Sequence, residues 1–228
     1  MKAKLIRVKP ETDNIISFAF EPEEPIERVA GHFLRYVLPH PHMDNRRDDR
    51  YFTISSAPFE HFIQITTRFA PQSSSFKKAL RQLSLGATIQ VDEPQGEFVV
   101  TDFKRNYIFV AGGMGITPFR SILAEANHNG QKIKAHVLYG SRDKDILFKD
   151  ELDDFARHNP DLSIEYITDA KGITADRLTQ VVEQVNDPYV YLSGPEPMVE
   201  SLAVVVKKLG LDIGHIQTDF FTGYDSNS

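Results

Sequence analysis

The spacing of apolar residues changes character once along the chain, near residue 100, and that change is the strongest constraint on the fold. From Lys2 to about Val100 the apolar residues fall in short runs: Leu5–Val8, Ile15–Phe20, Phe33–Leu38, Tyr51–Ile54, Phe62–Thr67, Thr88–Val91 and Phe98–Val100. Turn-forming stretches such as Glu21-Pro22-Glu23-Glu24-Pro25, Pro39-His40-Pro41-His42 and Glu93-Pro94-Gln95-Gly96 separate them. Strands of this length and spacing predict an antiparallel barrel or sandwich. One helix interrupts them, opening at Ser73-Ser74-Ser75, aligning Phe76, Leu80 and Leu83, and ending at Gly86. After about Thr101 strands alternate with helices. Tyr107–Ala111, Ile133–Tyr139, Leu162–Thr168, Tyr189–Leu192 and Ile213–Thr218 read as strands. Helices are expected from Pro118 to about Asn127, over Leu147–Phe155, after a Thr174 cap with Leu178, Val181, Val182 and Val185 inward, and over Met198–Leu209. Five strands alternating with helices predict an α/β doubly wound parallel sheet. The expected division is a domain of residues 1–100 and a second of residues 101–228. A chain of 228 residues, 41% hydrophobic, can fill two such cores.

Composition excludes several functions. Lys and Arg number 26 against 32 Asp and Glu, with no block of one sign, so no nucleic-acid footprint is expected. Cysteine is absent, which removes disulfides, thiolate nucleophiles and Cys-ligated zinc or iron–sulfur sites from these residues. His40-x-His42 lacks the spacing and third ligand that zinc needs, so no metal site is expected. No Gly-x-Ser-x-Gly elbow is present. MKAKLIRVKP has no apolar run behind its charges, and nowhere do 18 apolar residues follow one another. The expectation is a cytoplasmic protein without a signal peptide or transmembrane segment.

The most chemically informative segment is Ala111-Gly112-Gly113-Met114-Gly115-Ile116-Thr117-Pro118, between a buried strand and a helix. Glycines let backbone N–H groups approach a phosphate, and the helix N-terminus adds partial positive charge. Thr117 suits the N-cap and Pro118 the first helical position. Gly-Gly-x-Gly-x-Thr-Pro resembles the pyridine-nucleotide motif of the ferredoxin–NADP(+) reductase family. Three further segments match that family in order. Arg50-Tyr51-Phe52-Thr53-Ile54-Ser55-Ser56 resembles its flavin motif, Arg-x-Tyr-Ser/Thr-x-x-Ser. Glu93-Pro94-Gln95-Gly96-Glu97-Phe98 is similar to the Gly-Pro-x-Gly-x-Phe stretch that closes its flavin barrel, and Ser193-Gly194-Pro195-Glu196-Pro197-Met198 to its Cys-Gly-Pro-x-x-Met segment. The resemblance implies a six-stranded antiparallel β-barrel for flavin followed by the parallel-sheet domain for NAD(P), in agreement with the two rhythms.

It also implies roles. Arg50 would pair with the flavin pyrophosphate, for which a planar guanidinium fork is suited. Tyr51 and Ser56 belong to the same motif. Phe52 stands at the family's stacking tyrosine and lacks its hydroxyl. Thr53 falls at the hydroxyl residue near flavin N5; by itself it also reads as a β-branched strand residue. Ser73, Ser74 and Ser75 would offer a second pyrophosphate contact as well as a helix cap. Thr66, Thr67 and Arg68 would line the ribityl or phosphate, and together these favour FAD over FMN. Gly112, Gly113, Gly115, Thr117 and Pro118, with Gly194, Pro195 and Met198, would hold NAD(P). Ser193 replaces the cysteine many relatives place beside the nicotinamide, so Thr53 and Ser193 would flank the reacting atoms. Asp169 resembles the acid of the NADH-using branch, whereas Ser141 and Arg142, with Lys144, could pair with a 2′-phosphate. Near the end, Phe220, Phe221 and Tyr224 offer an aromatic cover for the flavin or an anchor for a last strand. The reaction expected is hydride transfer from NADH or NADPH to FAD, with electrons leaving to a separate acceptor that the −6 charge does not identify. An electron-transfer or nucleotide-sensing subunit, and a reductase treating flavin as a dissociable substrate, are the alternatives.

Overall fold

The structure, a computed structural model, describes residues 1–41, 43–45, 47–142 and 145–221. The N-terminal half forms one antiparallel sheet of six strands: β1 (Lys2–Pro10), β2 (Ile15–Pro22), β3 (Phe33–Val37), β4 (Asp49–Thr53), β5 (Ile63–Arg68) and β6 (Thr88–Val91). Their order is β4-β3-β6-β1-β2-β5. The two outer strands approach each other just beyond β4, where the Ser55 N–H donates to the Gln64 carbonyl at 3.0 Å, so the sheet curls into a barrel. Alternate residues point inward, as period two requires, and Leu5, Phe18, Phe20, Leu34, Tyr36, Ile65, Ile89 and Val91 fill the interior. Helix α1 (Ser75–Arg81) plugs it with Phe76 and Leu80. Ser74 caps this helix, accepting from the Lys77 N–H at 3.3 Å. The helix stops at Arg81, well before Gly86, which serves instead at φ +88 in the turn into β6.

Phe98–Val100 is not a strand. Phe98 and Val100 are buried against the other half of the molecule, Phe98 lying 5.4 Å from the Phe119 ring and 5.0 Å from that of Tyr191. Its apolar pattern comes from this packing; the Val99 carbonyl accepts from the Tyr191 hydroxyl at 2.8 Å rather than from a neighbouring strand.

The C-terminal half is a five-stranded parallel sheet of β7 (Asn106–Gly112), β8 (Lys134–Gly140), β9 (Leu162–Ile167), β10 (Pro188–Pro195) and β11 (Ile216–Phe221), ordered β11-β10-β7-β8-β9. Helices α2 (Ile116–His128) and α3 (Lys149–His158) cover one face through Phe119, Leu123, Leu152 and Phe155, packed on Phe109, Val137 and Tyr139. Helices α4 (Ala175–Gln184) and α5 (Glu196–Lys208) cover the other through Leu178, Val182, Leu202 and Val206, packed on Ile108, Val110 and Leu192. Burial on both faces explains why β7 reads as a continuous apolar run. Thr174 caps α4, accepting from the Arg177 N–H at 3.2 Å. Ile213–His215 is a 3-10 turn, so the last strand begins three residues later than its apolar pattern suggests.

Strand order reverses direction between β7 and β10. Open parallel sheets form their ligand crevice at such a switch point, outside the strands' carboxyl ends. The two halves share a core, since Ile15, Ala30, Ala57, Phe98 and Val100 pack with the residues beneath α2.

Candidate nucleotide and flavin crevice

The exits of β7 and β10 meet backbone to backbone because three glycines line the contact. A Cβ on Gly115 would lie 2.0 Å from the Ser193 carbonyl oxygen, one on Gly194 3.0 Å from Gly112 Cα, and one on Gly112 2.6 Å from the Met198 sulfur. Gly113 differs: it takes φ +53 with open space where a side chain would be. Its backbone is therefore both left-handed and exposed to the crevice, the combination that suits close approach of a phosphate. Residues 113–115 form a 3-10 turn that winds α2 early, so Gly115 occupies the N-cap position. Thr117 is consequently not the cap. It sits within the first turn, its hydroxyl donating to the Met114 carbonyl at 3.0 Å, with Pro118 one position beyond. Proline is tolerated there, where no intrahelical acceptor is lost.

On β10, Ser193 is fully buried. Its hydroxyl donates to the Asp219 carboxylate at 3.2 Å, because parallel register sets Ser193 opposite Asp219 on β11. Burial raises the Asp219 carboxyl above the usual aspartate value, and the Ser193 hydrogen bond opposes the rise. Asp219 is a candidate site residue that sequence reasoning missed. Pro195 is exposed at the strand's end, and Phe221 pairs with it through the backbone. The Phe221 ring, Tyr224, His42 and Lys144 lie outside the described features.

Ser141 and Asp169 follow the neighbouring strands β8 and β9, and the Ser141 N–H donates to the Ile167 carbonyl at 3.0 Å. Arg142 beside it is exposed. One Asp169 carboxylate oxygen accepts from the Lys171 and Gly172 N–H groups at 2.8 and 3.0 Å, which pins an exposed acid at the strand end.

The barrel side gathers around the Phe76 ring. Phe52 lies 5.8 Å from it, between Phe76 and Tyr36, and the Arg50 guanidinium lies 5.6 Å over it. Arg50 donates to one Asp44 carboxylate oxygen at 3.1 Å, and the Ser75 N–H donates to the other at 3.0 Å. The arginine and the start of α1 thus converge on a single oxyanion, the geometry a phosphate would require. Tyr36 Oη and His40 Nε2, on rings packed edge-on to Phe52 and Phe76, are buried with no hydrogen-bond partner among the described residues. Buried polar atoms are normally paired, so a phosphorylated, hydroxyl-rich ligand fits this cluster.

The remaining candidates divide. Thr53, 7% exposed, ends β4 in register with Phe33. Tyr51, two residues back on the same strand face, is 60% exposed, its ring edge-on to Phe33. Ser73 bonds within its own turn to Ala70, and Ser74 is the helix cap, so of the three serines only Ser75 joins Arg50. Thr66 is held by the Ser17 and Ser55 hydroxyls, each at 2.8 Å. Ser56 donates to the Phe62 carbonyl at 2.7 Å and also accepts from the Arg28 guanidinium. Arg68 ends β5, where its carbonyl accepts from Lys77 at 3.0 Å. Strand β5 lies against the Gly113–Gly115 turn, which brings the two candidate sites to one crevice. Among the described residues no three acidic or histidine side chains are grouped to hold a metal ion, and no helix is long and apolar enough to cross a membrane.

Residues 109–203 match the family model described as an oxidoreductase NAD-binding domain. The toluate 1,2-dioxygenase electron transfer component of Pseudomonas putida is 28% identical over 172 residues, covering 71% of this chain and 51% of its own. The ferredoxin reductase component of the 3-ketosteroid-9-alpha-monooxygenase of Mycobacterium tuberculosis is 24% identical over 242 residues, covering 100% and 67%. The chain thus spans about half to two thirds of the length of these curated relatives. The solved ferredoxin NADP+ reductase of Neisseria gonorrhoeae, with bound FAD and NADP, shares the fold at a TM-score of 0.80 and 18% identity, covering 96% of this chain and 98% of that one.

Proposed function

We propose that this chain belongs to the ferredoxin–NADP(+) reductase family and is an FAD-dependent oxidoreductase that draws hydride from NADH, in preference to NADPH, and passes electrons to a separate acceptor. The observation that carries this reading is the convergence of Arg50 and the Ser75 N–H on one oxyanion, on the barrel side of the crevice that the glycine turn closes. Bound flavin would supply the chemistry, taking hydride at N5 and releasing electrons to the next carrier.

The protein's part is to bind, orient and keep water out. Arg50 and Ser75 hold the pyrophosphate, Phe52 offers a stacking face, and the Thr53 hydroxyl lies along the same strand for the reactive edge. On the nucleotide side, the open backbone of Gly113 and the start of α2 receive the other pyrophosphate. An Asp219 carboxylate oxygen accepts a hydrogen bond from the Ser193 hydroxyl, which would fix that hydroxyl's orientation beside the nicotinamide. Asp169 accepts from a ribose 2′-OH and repels a 2′-phosphate, favouring NADH, while Ser141 and Arg142 at the adjacent strand end are what a phosphate would meet. These 228 residues contain no cysteine to ligate an iron–sulfur cluster. The relatives named as reductase and electron-transfer components of oxygenase systems support a partner protein as acceptor.

A second reading has its own support. Phe52 lacks a hydroxyl for the flavin chain, and the Asp44 carboxylate occupies the place between Arg50 and Ser75. A flavin phosphate must displace it, which favours flavin as a dissociable substrate. Equilibrium binding of FAD, FMN and riboflavin separates the two. FAD retained through desalting and bound far more tightly than riboflavin supports a resident cofactor; three equal, weak affinities support the second reading.

A further inference from the structure

Arg120 has no place in the motifs, yet it joins several of the crevice's parts. It lies in α2, five residues beyond Gly115, and is 8% exposed. Its guanidinium donates to the Ser55 carbonyl at 3.1 Å, two residues beyond Thr53. It forms an ion pair with Glu60, in the 3-10 turn that follows, and another with Glu151 in the first turn of α3 at 2.7 Å. Its central carbon sits 5.7 Å over the Phe148 ring. Phe148 caps α3 at φ +61, a left-handed conformation that costs a bulky residue energy and persists only where its surroundings hold it. One guanidinium therefore ties the segment after Thr53, the helix after the glycine turn, and the loop after β8.

The rest of that helix face reinforces the contact. Ser121 donates to the Ser56 carbonyl at 2.9 Å, Glu125 accepts from the Phe59 N–H at 3.1 Å, and His128 stacks on Phe59 at 4.0 Å. Stability alone is a poor account of the charges. Desolvating three ions offsets most of their mutual attraction, and apolar replacements of buried ion groups are often as stable. What ions provide here is direction, through a planar fork that fixes both partners in angle as well as distance.

We propose that Arg120 is a positioning residue for hydride transfer, setting the separation between the Thr53 strand and the glycine turn and hence between the flavin and the nicotinamide. The inference rests on the flavin reading above. A misplacement of about 1 Å can cost roughly a hundredfold in rate, so the device needs to yield only slightly to matter.

The test compares the wild-type chain with Arg120→Lys, which keeps the charge and loses the fork, and with Glu151→Gln, a partly exposed position where folding is less at risk. Stopped-flow reduction of flavin by NADH is expected to slow about 10–100-fold in Arg120→Lys, and by less in Glu151→Gln, with flavin still bound. The isotope effect with 4-deuterated NADH should rise in both. Hydrogen exchange on the flavin-free chain should show the amides of 55–60 and of 113–121 losing protection together. Reduction rates and isotope effects within about twofold of wild type, even in a less stable variant, would make Arg120 merely structural and overturn the proposal. A wild-type chain that no flavin reconstitutes would overturn the flavin reading and the proposal with it.

Discussion

Replacing Gly115 by alanine probes the crevice through a single methyl group. The residue sits at φ −61 and ψ −6, a conformation alanine adopts freely, so backbone strain contributes nothing. The new Cβ would stand 2.0 Å from the Ser193 carbonyl oxygen, 2.4 Å from its carbon and 2.7 Å from the Gly194 nitrogen. All three are backbone atoms of β10, so no side-chain rotation can relieve the contact. Reaching ordinary contact at 3.4 Å requires α2 and β10 to part by about 1.4 Å. Overpacking of this kind costs about 1–3 kcal/mol, and a shift above 1 Å at the nicotinamide side should slow flavin reduction by about a hundredfold or more. Urea denaturation measures the first effect and stopped-flow reduction by NADH the second. Gly113→Ala is the control: its Cβ meets nothing within 4 Å, but φ +53 is strained, so it should lose about 1–2 kcal/mol without parting the strands. Wild-type stability and reduction rate in Gly115→Ala would refute the reasoning.

Three further substitutions test separate parts of the site. Arg50→Ala removes a charge-assisted hydrogen bond worth about 1.5–3 kcal/mol and should weaken FAD binding about 10–100-fold by fluorescence titration; unchanged affinity would remove Arg50 from the pyrophosphate site. Asp169→Asn keeps an oxygen for the Lys171 and Gly172 N–H groups and discards the charge, so KM for NADPH should fall about tenfold relative to that for NADH. An unaltered ratio would place the discrimination elsewhere. Burial raises the Asp219 carboxyl, so the folded chain holds that proton more tightly than the unfolded one. Stability from this group is complete below the unfolded value and is lost as pH climbs through the folded one. Asp219→Asn should therefore gain on wild type in urea midpoint as pH rises above the ordinary aspartate range, whereas a difference independent of pH would contradict the assignment.

What could be read from the chain follows what is local. Short apolar runs between turn residues identified β1 to β6 because one face of each packs on the barrel interior, and the continuous run of β7 signalled burial on both faces. Phe98–Val100 misled because it is apolar for two partners distant in sequence, Phe119 and Tyr191. Thr117 misled because the Gly113–Gly115 turn starts the helix two residues early. Ser193 and Asp219 are 26 residues apart and meet only through the parallel register of β10 and β11, which no local pattern encodes. Arg120 is a lone charge in an apolar helix start, and its partners Glu60 and Glu151 come from two different segments. Asp44, placed between Arg50 and Ser75 by a long loop, was equally invisible.

Hydride transfer from NADH to bound FAD can be watched in the visible spectrum of the FAD-reconstituted chain, recorded without oxygen before and after a stoichiometric addition of NADH. The flavin bands should survive desalting and bleach on that addition, faster than with NADPH. Bands that persist unbleached with both nucleotides, or a chain that FAD does not colour at all, would contradict the proposed transfer.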